Sequence, residues 1–418
     1  MSVCSPVQLE TEASEQRFDD FLAAAIADRA DRVGMAPEQA WPDAWRDDPM
    51  PHAFAARALY HGLAGVLVNR SGAMAGWPAP VVSRLRQQAL GQGMWELRNK
   101  LVVTSLIEAL AQAGVRAILL KGTALAYSLY ADPAERCRGD TDILVAPAQL
   151  TRSRSVLEAR GFVRESASEG LFGDLHAQEI WRHTSSDGYE HVIDLHWQLL
   201  NSPFLDPLMP YAECASGTVP IPRLSVSARA MPRVLMLIHA CLHRAVHVSN
   251  PYYVDGQAYF GGGRLIWLLD IKLIADAFSD REWSELARLA GAKGLSGLCL
   301  DALEAARAKL GARIPSSARE ALSRARSNSE IGVYLTASSQ FGRAWRDFKA
   351  TPGVVKKLRF GLSQALPSPD MVRDKYPSMR NRPILLLYGR RFAEILAEIV
   401  AEIFGRRVSD RSQQGHAR

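Results

Sequence analysis

Residues 117–145, AILLKGTALAYSLYADPAERCRGDTDILV, constrain this chain more than any other stretch. An apolar run, Ala117 to Leu120, enters a Gly-Thr turn and then a helical segment, Ala124 to Tyr130. A second apolar run follows, with two carboxylates at its start, Asp140 and Asp142. Side chains of an extended strand alternate between faces, so these carboxylates share one face and Thr141 takes the other. Two carboxylates on one face repel unless a cation lies between them, and Mg²⁺ is the hard ion that prefers carboxylate and phosphate oxygens. The N–H groups that open the intervening helix supply the complementary anion site.

This order of elements resembles the nucleotidyltransferase superfamily, the polymerase-beta-like fold. More narrowly, the chain resembles a large bacterial family of nucleotidyltransferase-like proteins, through Lys121-Gly122, Leu129-Tyr130, Arg138 and the run Asp140 to Val145. Thr141 departs from the pattern, which more often has an apolar residue there.

The resemblance implies an α+β fold: a small mixed-sheet nucleotidyltransferase core, flanked by N-terminal helices and a helical C-terminal domain. It also implies a third carboxylate on a later hairpin strand, for which Asp194 in HVIDLHWQL qualifies. Asp140, Asp142 and Asp194 would then hold two Mg²⁺ ions around a nucleoside triphosphate, the substrate. One ion lowers the pKa of the attacking acceptor hydroxyl and the other stabilises the pyrophosphate leaving group. Asp194 is also the usual position of the deprotonating base. Lys121, Gly122, Thr123 and Arg138 fall around the triphosphate. All four have plainer readings: Gly122 and Thr123 as a tight strand-to-helix turn with Thr123 as its cap, Lys121 and Arg138 as solvated charges beside a loop, and Lys121 also as the partner of a core carboxylate.

His196 follows Asp194 by two residues and shares its face; it is either an acceptor-side acid or base or, the preferred reading, the group that orients Asp194. His243, with Arg264 and Asp270 in RLIWLLD, falls where the family has a His and then an Arg/Trp/Asp helix. These three either line the acceptor side of the cleft or form a buried polar network. His239, His243 and His247 recur every four residues, but no third-ligand motif completes a zinc set.

The chain divides into an N-terminal helical region (1–95), the nucleotidyltransferase core (96–203), a helical C-terminal domain (204–380), and an amphipathic helix with a disordered tail (381–418). Helices are expected over 17–34, closed by Gly34, and over 52–72. The segment 78–114 reads as two helices or one kinked helix. Strands are expected at 115–120 and 142–145, a helix over 149–160, and a third strand from Phe162-Val163. A hairpin joins 179–184 to 189–195 through Ser185-Ser186-Asp187-Gly188. In the last helix Glu394, Glu398 and Glu402 form a polar stripe near Arg390, Arg391, Arg406 and Arg407. That stripe argues for packing on the protein rather than on an anionic membrane.

Composition narrows the classes. Hydrophobic residues make up 48% and charged residues 22%, an ordinary globular balance. The net charge of +6 suits phosphate-bearing ligands, but the basic residues form no dense stripe of the kind that binds nucleic acid. Five scattered cysteines suggest neither a disulfide framework nor a thiolate zinc site. With no leader-like or membrane-spanning run, the reading is cytoplasmic. A glycosyltransferase using Asp-x-Asp would need a nucleotide-binding α/β half before the motif, where the chain reads as helices. A non-catalytic binding or assembly protein of the same fold is the other alternative. The acceptor, whether small molecule, saccharide or peptide, is not named by any motif.

Overall fold

The computed structural model describes residues 6–27, 41–70, 72–165, 177–200, 202–249, 252–254, 257–259, 263–325, 329–337, 340–366, 369, 372–373, 376, 379 and 381–397. Its N-terminal part is helical: α1 (Pro6–Ile26), α2 (Met50–Tyr60), α3 (Ala64–Asn69) and α4 (Ala79–Gln112). The expected 17–34 helix is the second half of α1, and Gly34 lies outside the described residues. A break at Gly62, whose φ is +71°, divides α2 from α3. Phe18, Phe21, Trp41, Trp45, Phe54 and Trp77 pack edge to face around α1 and α2.

The long α4 is a single helix, so Gly91 and Gly93 do not interrupt it. Its buried face runs Leu85, Gln92, Glu96, Asn99, Val103, Leu106 and Leu110 at three- and four-residue spacing. Apolar ends bracket a polar middle, and that middle lies against the site. The helix closes at Gly114, in the left-handed region at φ +73°.

The sheet then assembles from β1 (Ile118–Leu119), β2 (Asp140–Leu144), β3 (Val163–Arg164), β4 (Gln178–Thr184) and β5 (Glu190–His196). Between them lie α5 (Lys121–Ser128) and α6 (Leu150–Ala159). Ser185 to Gly188 turns the β4–β5 hairpin, with Gly188 at φ +85°. The chain continues through α7 (Tyr211–Ala215), then β6 (Val219–Pro220) and β7 (Arg229–Ala230). The seven strands lie in the order β3-β4-β5-β2-β1-β7-β6, a mixed sheet in which β2 runs parallel to β5 and antiparallel to β1.

The remainder is mostly helical: α8 (Arg233–Ser249), a small hairpin of β8 (Tyr252–Val254) and β9 (Gln257–Tyr259), α9 (Leu265–Asp276), α10 (Asp280–Ala292), α11 (Ser296–Leu310) and α12 (Ser316–Arg324). A short turn, α13 (Glu330–Gly332), leads to α14 (Gln340–Ala350), α15 (Val354–Ala365) and a last helix, α16, over 384–397. The fold is thus α+β, as expected. Two local expectations change. The helix after β1 begins at Lys121 rather than Ala124, so Gly122 and Thr123 form its first turn. The segment after residue 203 is not purely helical, because β6 and β7 return to the sheet beside β1. The division drawn at 95/96 falls within the unbroken α4, and the one at 203/204 precedes two strands of the same sheet.

Candidate active site

Strand register builds the centre of the site. β2 and β5 run parallel with Asp142 opposite Asp194 and Leu144 opposite His196. Oxygens of Asp142 and Asp194 and a ring nitrogen of His196 all lie within 4.8 Å of one another. Asp140, two residues before Asp142 on the same face, opens to solvent at the start of β2. Three carboxylates therefore line one wall, and Asp142 lies deepest, 4% exposed.

Lys121 answers this negative charge. Its backbone has φ +43°, the left-handed region that non-glycine residues rarely enter, at a cost of about 1–2 kcal/mol. Its Nζ donates to Asp142 Oδ1 at 2.6 Å. His196 Nε2 donates to the same oxygen at 3.0 Å. The carboxylate it orients is therefore Asp142 and not Asp194 as expected, because its register partner on β2 is Leu144 and its ring reaches back along that strand. Burial would raise the Asp142 pKa, but the Lys121 ammonium and the His196 hydrogen bond outweigh it and hold the carboxyl well below its usual range. Among the described residues Asp194 has no such hydrogen-bonded partner. Burial, then the charges of Asp142 and Asp140, push it up to about 7. Desolvation and Asp142 raise Asp140 as well.

The four residues expected around a triphosphate divide into different roles. Lys121 faces the carboxylates, one of its two plainer sequence readings. Thr123 is not the cap of α5, because Leu120 precedes the helix and makes no side-chain cap. Its hydroxyl is buried, accepting from Arg138 Nε at 3.1 Å and bonding Thr141 Oγ1 at 3.2 Å. Thr141, the one departure from the family pattern, thereby gains a buried polar partner. Arg138 was expected to neutralise phosphate charge, yet its side chain is 3% exposed and pairs with Glu96 at 2.6 Å. It also donates to the carbonyls of Pro133 and Arg136. A Cβ on Gly122 would come within 3.2 Å of Arg138 Cδ, so glycine there makes room for the arginine stem. Tyr127 donates to the same Glu96.

The site opens into a cleft of about 600 Å³. Opposite the carboxylates, α8 presents His239, His243 and His247. Burial, aided by the Lys121 charge, lowers His239 to about 3 and His247 to about 4, and sets His243 well below its ordinary value. All three are neutral imidazoles at pH 7. His243 stands 4.5 Å from His247 and 5.0 Å from Trp267, ring centre to ring centre. These histidines do not join the carboxylates in a three-ligand metal cluster among the described residues.

Asp270 and Arg264 separate from His243 in role. Asp270 is buried and accepts from Arg136 Nε and Nη2 at 2.9 and 2.8 Å and from Tyr130 Oη at 2.7 Å. That is a buried network tying α9 to the loop before β2. Arg264, at the start of α9, donates to the Tyr60 carbonyl and lies over Trp267. Arg136 and Glu96 escaped the sequence reading. The signal in the sequence was a charged residue, Glu96, on the apolar face of α4, and a second arginine two positions before Arg138. Tyr334, Leu335 and Arg343 also line the cleft and were not foreseen. Asp347 fixes their segment, accepting from Ser202 Oγ at 2.6 Å and from Tyr334 Oη at 2.7 Å.

A strand, a tight turn into a helix, and carboxylates side by side on the next parallel pair, all opening on one deep cleft, form the layout of the nucleotidyltransferase class. The chain belongs to the family described as uncharacterised nucleotidyltransferase, which matches residues 47–311. Among curated proteins, none matches the chain. None of the described helices is long and apolar enough to cross a membrane.

Proposed function

We propose that this protein transfers a nucleoside monophosphate from a nucleoside triphosphate to an acceptor hydroxyl or phosphate, with Mg²⁺, releasing pyrophosphate. The observation that carries the reading is the pairing of Asp142 with Asp194 across parallel strands, beside Asp140 and at the floor of the cleft. The donor set fits a hard divalent cation: three carboxylates on one wall, one of them raised to about 7 by burial and then by the repulsion of its neighbours, the second of which a cation would relieve. Asp140, Asp142 and Asp194 would hold two Mg²⁺ ions, which when bound activate the acceptor oxygen and neutralise the leaving group. The first N–H groups of α5 have no intrahelical acceptor and are available to phosphate oxygens. His196 orients Asp142. Asp194, with its raised pKa, can take the acceptor proton near neutral pH. His243, which lines the same cleft, would serve the acceptor side.

A binding-only relative is the second reading, and Lys121 is the observation that favours it. Its ammonium already neutralises Asp142, which leaves that carboxylate less need of a metal. Pyrophosphate release from each of the four NTPs with Mg²⁺, measured for the wild type, Asp142→Asn and Asp194→Asn, tests the proposal. Release by the wild type that both variants lose supports transfer. Tight NTP binding without turnover of any acceptor, water included, points to the binding-only reading.

A further inference from the structure

We infer that the C-terminal segment, residues 341–397, docks this protein on an anionic lipid surface. The charge of the chain is concentrated there. Twelve of its residues are Lys or Arg and four are Asp or Glu, a surplus of eight in a chain whose total is +6. The rest of the molecule is therefore slightly negative.

Within this basic segment two helices turn apolar side chains to solvent. On α15, Val354, Val355, Leu358 and Leu362 fall within a third of the helical circumference and are 73%, 68%, 61% and 45% exposed. Arg359 and Lys357 flank that arc, while Lys356 and Phe360 face away from it, and Gly361, at its edge beside Val354, lies near the Phe348 ring of α14. On α16, Leu385, Leu386, Phe392 and Leu396 form a similar arc, 79%, 56%, 43% and 60% exposed, with Arg390 at its edge. Trp345 of α14 is half-exposed as well, with Lys349 over its ring.

An apolar arc edged by cations is the pattern of a helix lying in the plane of a membrane interface, with its cationic edge in the headgroups. Neither helix is long or apolar enough to cross one. The glutamate stripe that argued against this in the sequence is resolved at Glu394. That side chain accepts from Tyr376 Oη at 2.6 Å and from Arg390 Nε at 3.1 Å, on the side of α16 away from the apolar arc. Glu398 and Glu402, with Arg406 and Arg407, lie outside the described residues. Charge decides between occupants. A second copy seated on this segment would bring two surpluses of eight positive charges together, whereas anionic headgroups neutralise them. The helix α14, against which α15 packs, is held at the rim of the cleft, because Asp347 clips it to Ser202 and Tyr334.

The test uses the full chain and vesicles of phosphatidylcholine with or without phosphatidylglycerol, separated by sedimentation and free of nucleotide. Binding is expected only with phosphatidylglycerol and should weaken as salt rises. Leu358→Glu with Leu362→Glu should abolish it, and both positions are exposed enough to leave the fold intact. Lys356→Ala with Lys357→Ala and Arg359→Ala should weaken it about a hundredfold. Equal binding to both vesicle types, binding unaffected by either variant, or no binding at low salt overturns the inference. So does a concentration-dependent dimer in sedimentation velocity that Leu358→Glu dissolves in protein that ignores vesicles. Because nucleotide is absent throughout, failure here is separate from failure of the transfer reading.

Discussion

Asp194 is held as a strained carboxylate, and replacing it with Asn should stabilise the metal-free protein. Its oxygens lie within 4.8 Å of those of Asp142, where two unit charges at an effective dielectric of about 20 repel by about 3 kcal/mol. The shift of its pKa from 3.8 to about 7 gives a similar upper figure, about 4 kcal/mol at 1.36 kcal/mol per unit. Asp194 is only half-buried, so solvent screening reduces this to about 2 kcal/mol. The sign follows from proton linkage. Below about pH 4 the carboxyl is protonated in both folded and unfolded chains and carries no penalty. As pH rises the unfolded chain ionises first, so the folded state loses stability until about pH 7, and the penalty is then constant. Urea unfolding in EDTA should therefore show Asp194→Asn more stable than wild type by about 2 kcal/mol at about pH 8, with the gap closing toward pH 4. Adding Mg²⁺ at about pH 8 should raise the wild-type midpoint and leave the variant unmoved. A variant less stable than wild type in EDTA at pH 8 would refute the picture of a repelling pair.

Other perturbations probe the surrounding charges. Lys121→Met removes the ammonium from a deeply buried carboxylate and should cost about 3 kcal/mol in EDTA, part of it restored by Mg²⁺ in thermal unfolding. Asp270→Asn leaves the buried Arg136 without its counter-ion and should cost about 3 kcal/mol, with NTP affinity per folded molecule unchanged. His243→Ala should leave NTP affinity intact and slow transfer to the true acceptor. Because burial sets the His243 pKa well below its ordinary value, this variant should not abolish a histidine-like titration of NTP affinity near neutral pH.

Much of the fold was legible because its signals are local. Gly114, Gly161 and Gly188 each end an element at positive φ, and periodicity marks α4, α6 and the β4–β5 hairpin without reference to the rest of the chain. The strand pair β6–β7 was not legible. Two residues long, each strand carries too little alternation to register; β7 forms on the edge that β1 offers and β6 on the edge of β7. The start of α5 was misplaced for a related reason. Glycine and threonine read as a turn, yet Lys121 takes the left-handed conformation itself, and the pull of Asp142 on its side chain is a tertiary effect.

The carboxylates and the arginines beside them show where such reading stops. Asp140 and Asp142 share a face by strand geometry alone, and a hairpin carrying Asp194 needed only one register to bring it alongside. A cation near a loop, by contrast, is equally at home on a phosphate or on a buried carboxylate, and the partner decides. The partner of Arg138 lies 42 residues away on α4, and that of Arg136 lies 134 residues away on α9. Both guanidiniums are spent on holding the loop before β2 against the helices that flank it. Two buried ion pairs, each costly to break from one side, thus fix the strand that presents Asp140 and Asp142. Arg138, read as substrate-binding in the sequence, and Arg136, which that reading passed over, together hold the strand of carboxylates in place. Among the described residues, the cleft is also lined by Lys121, Arg264 and Arg343, which are supplied by three separate elements.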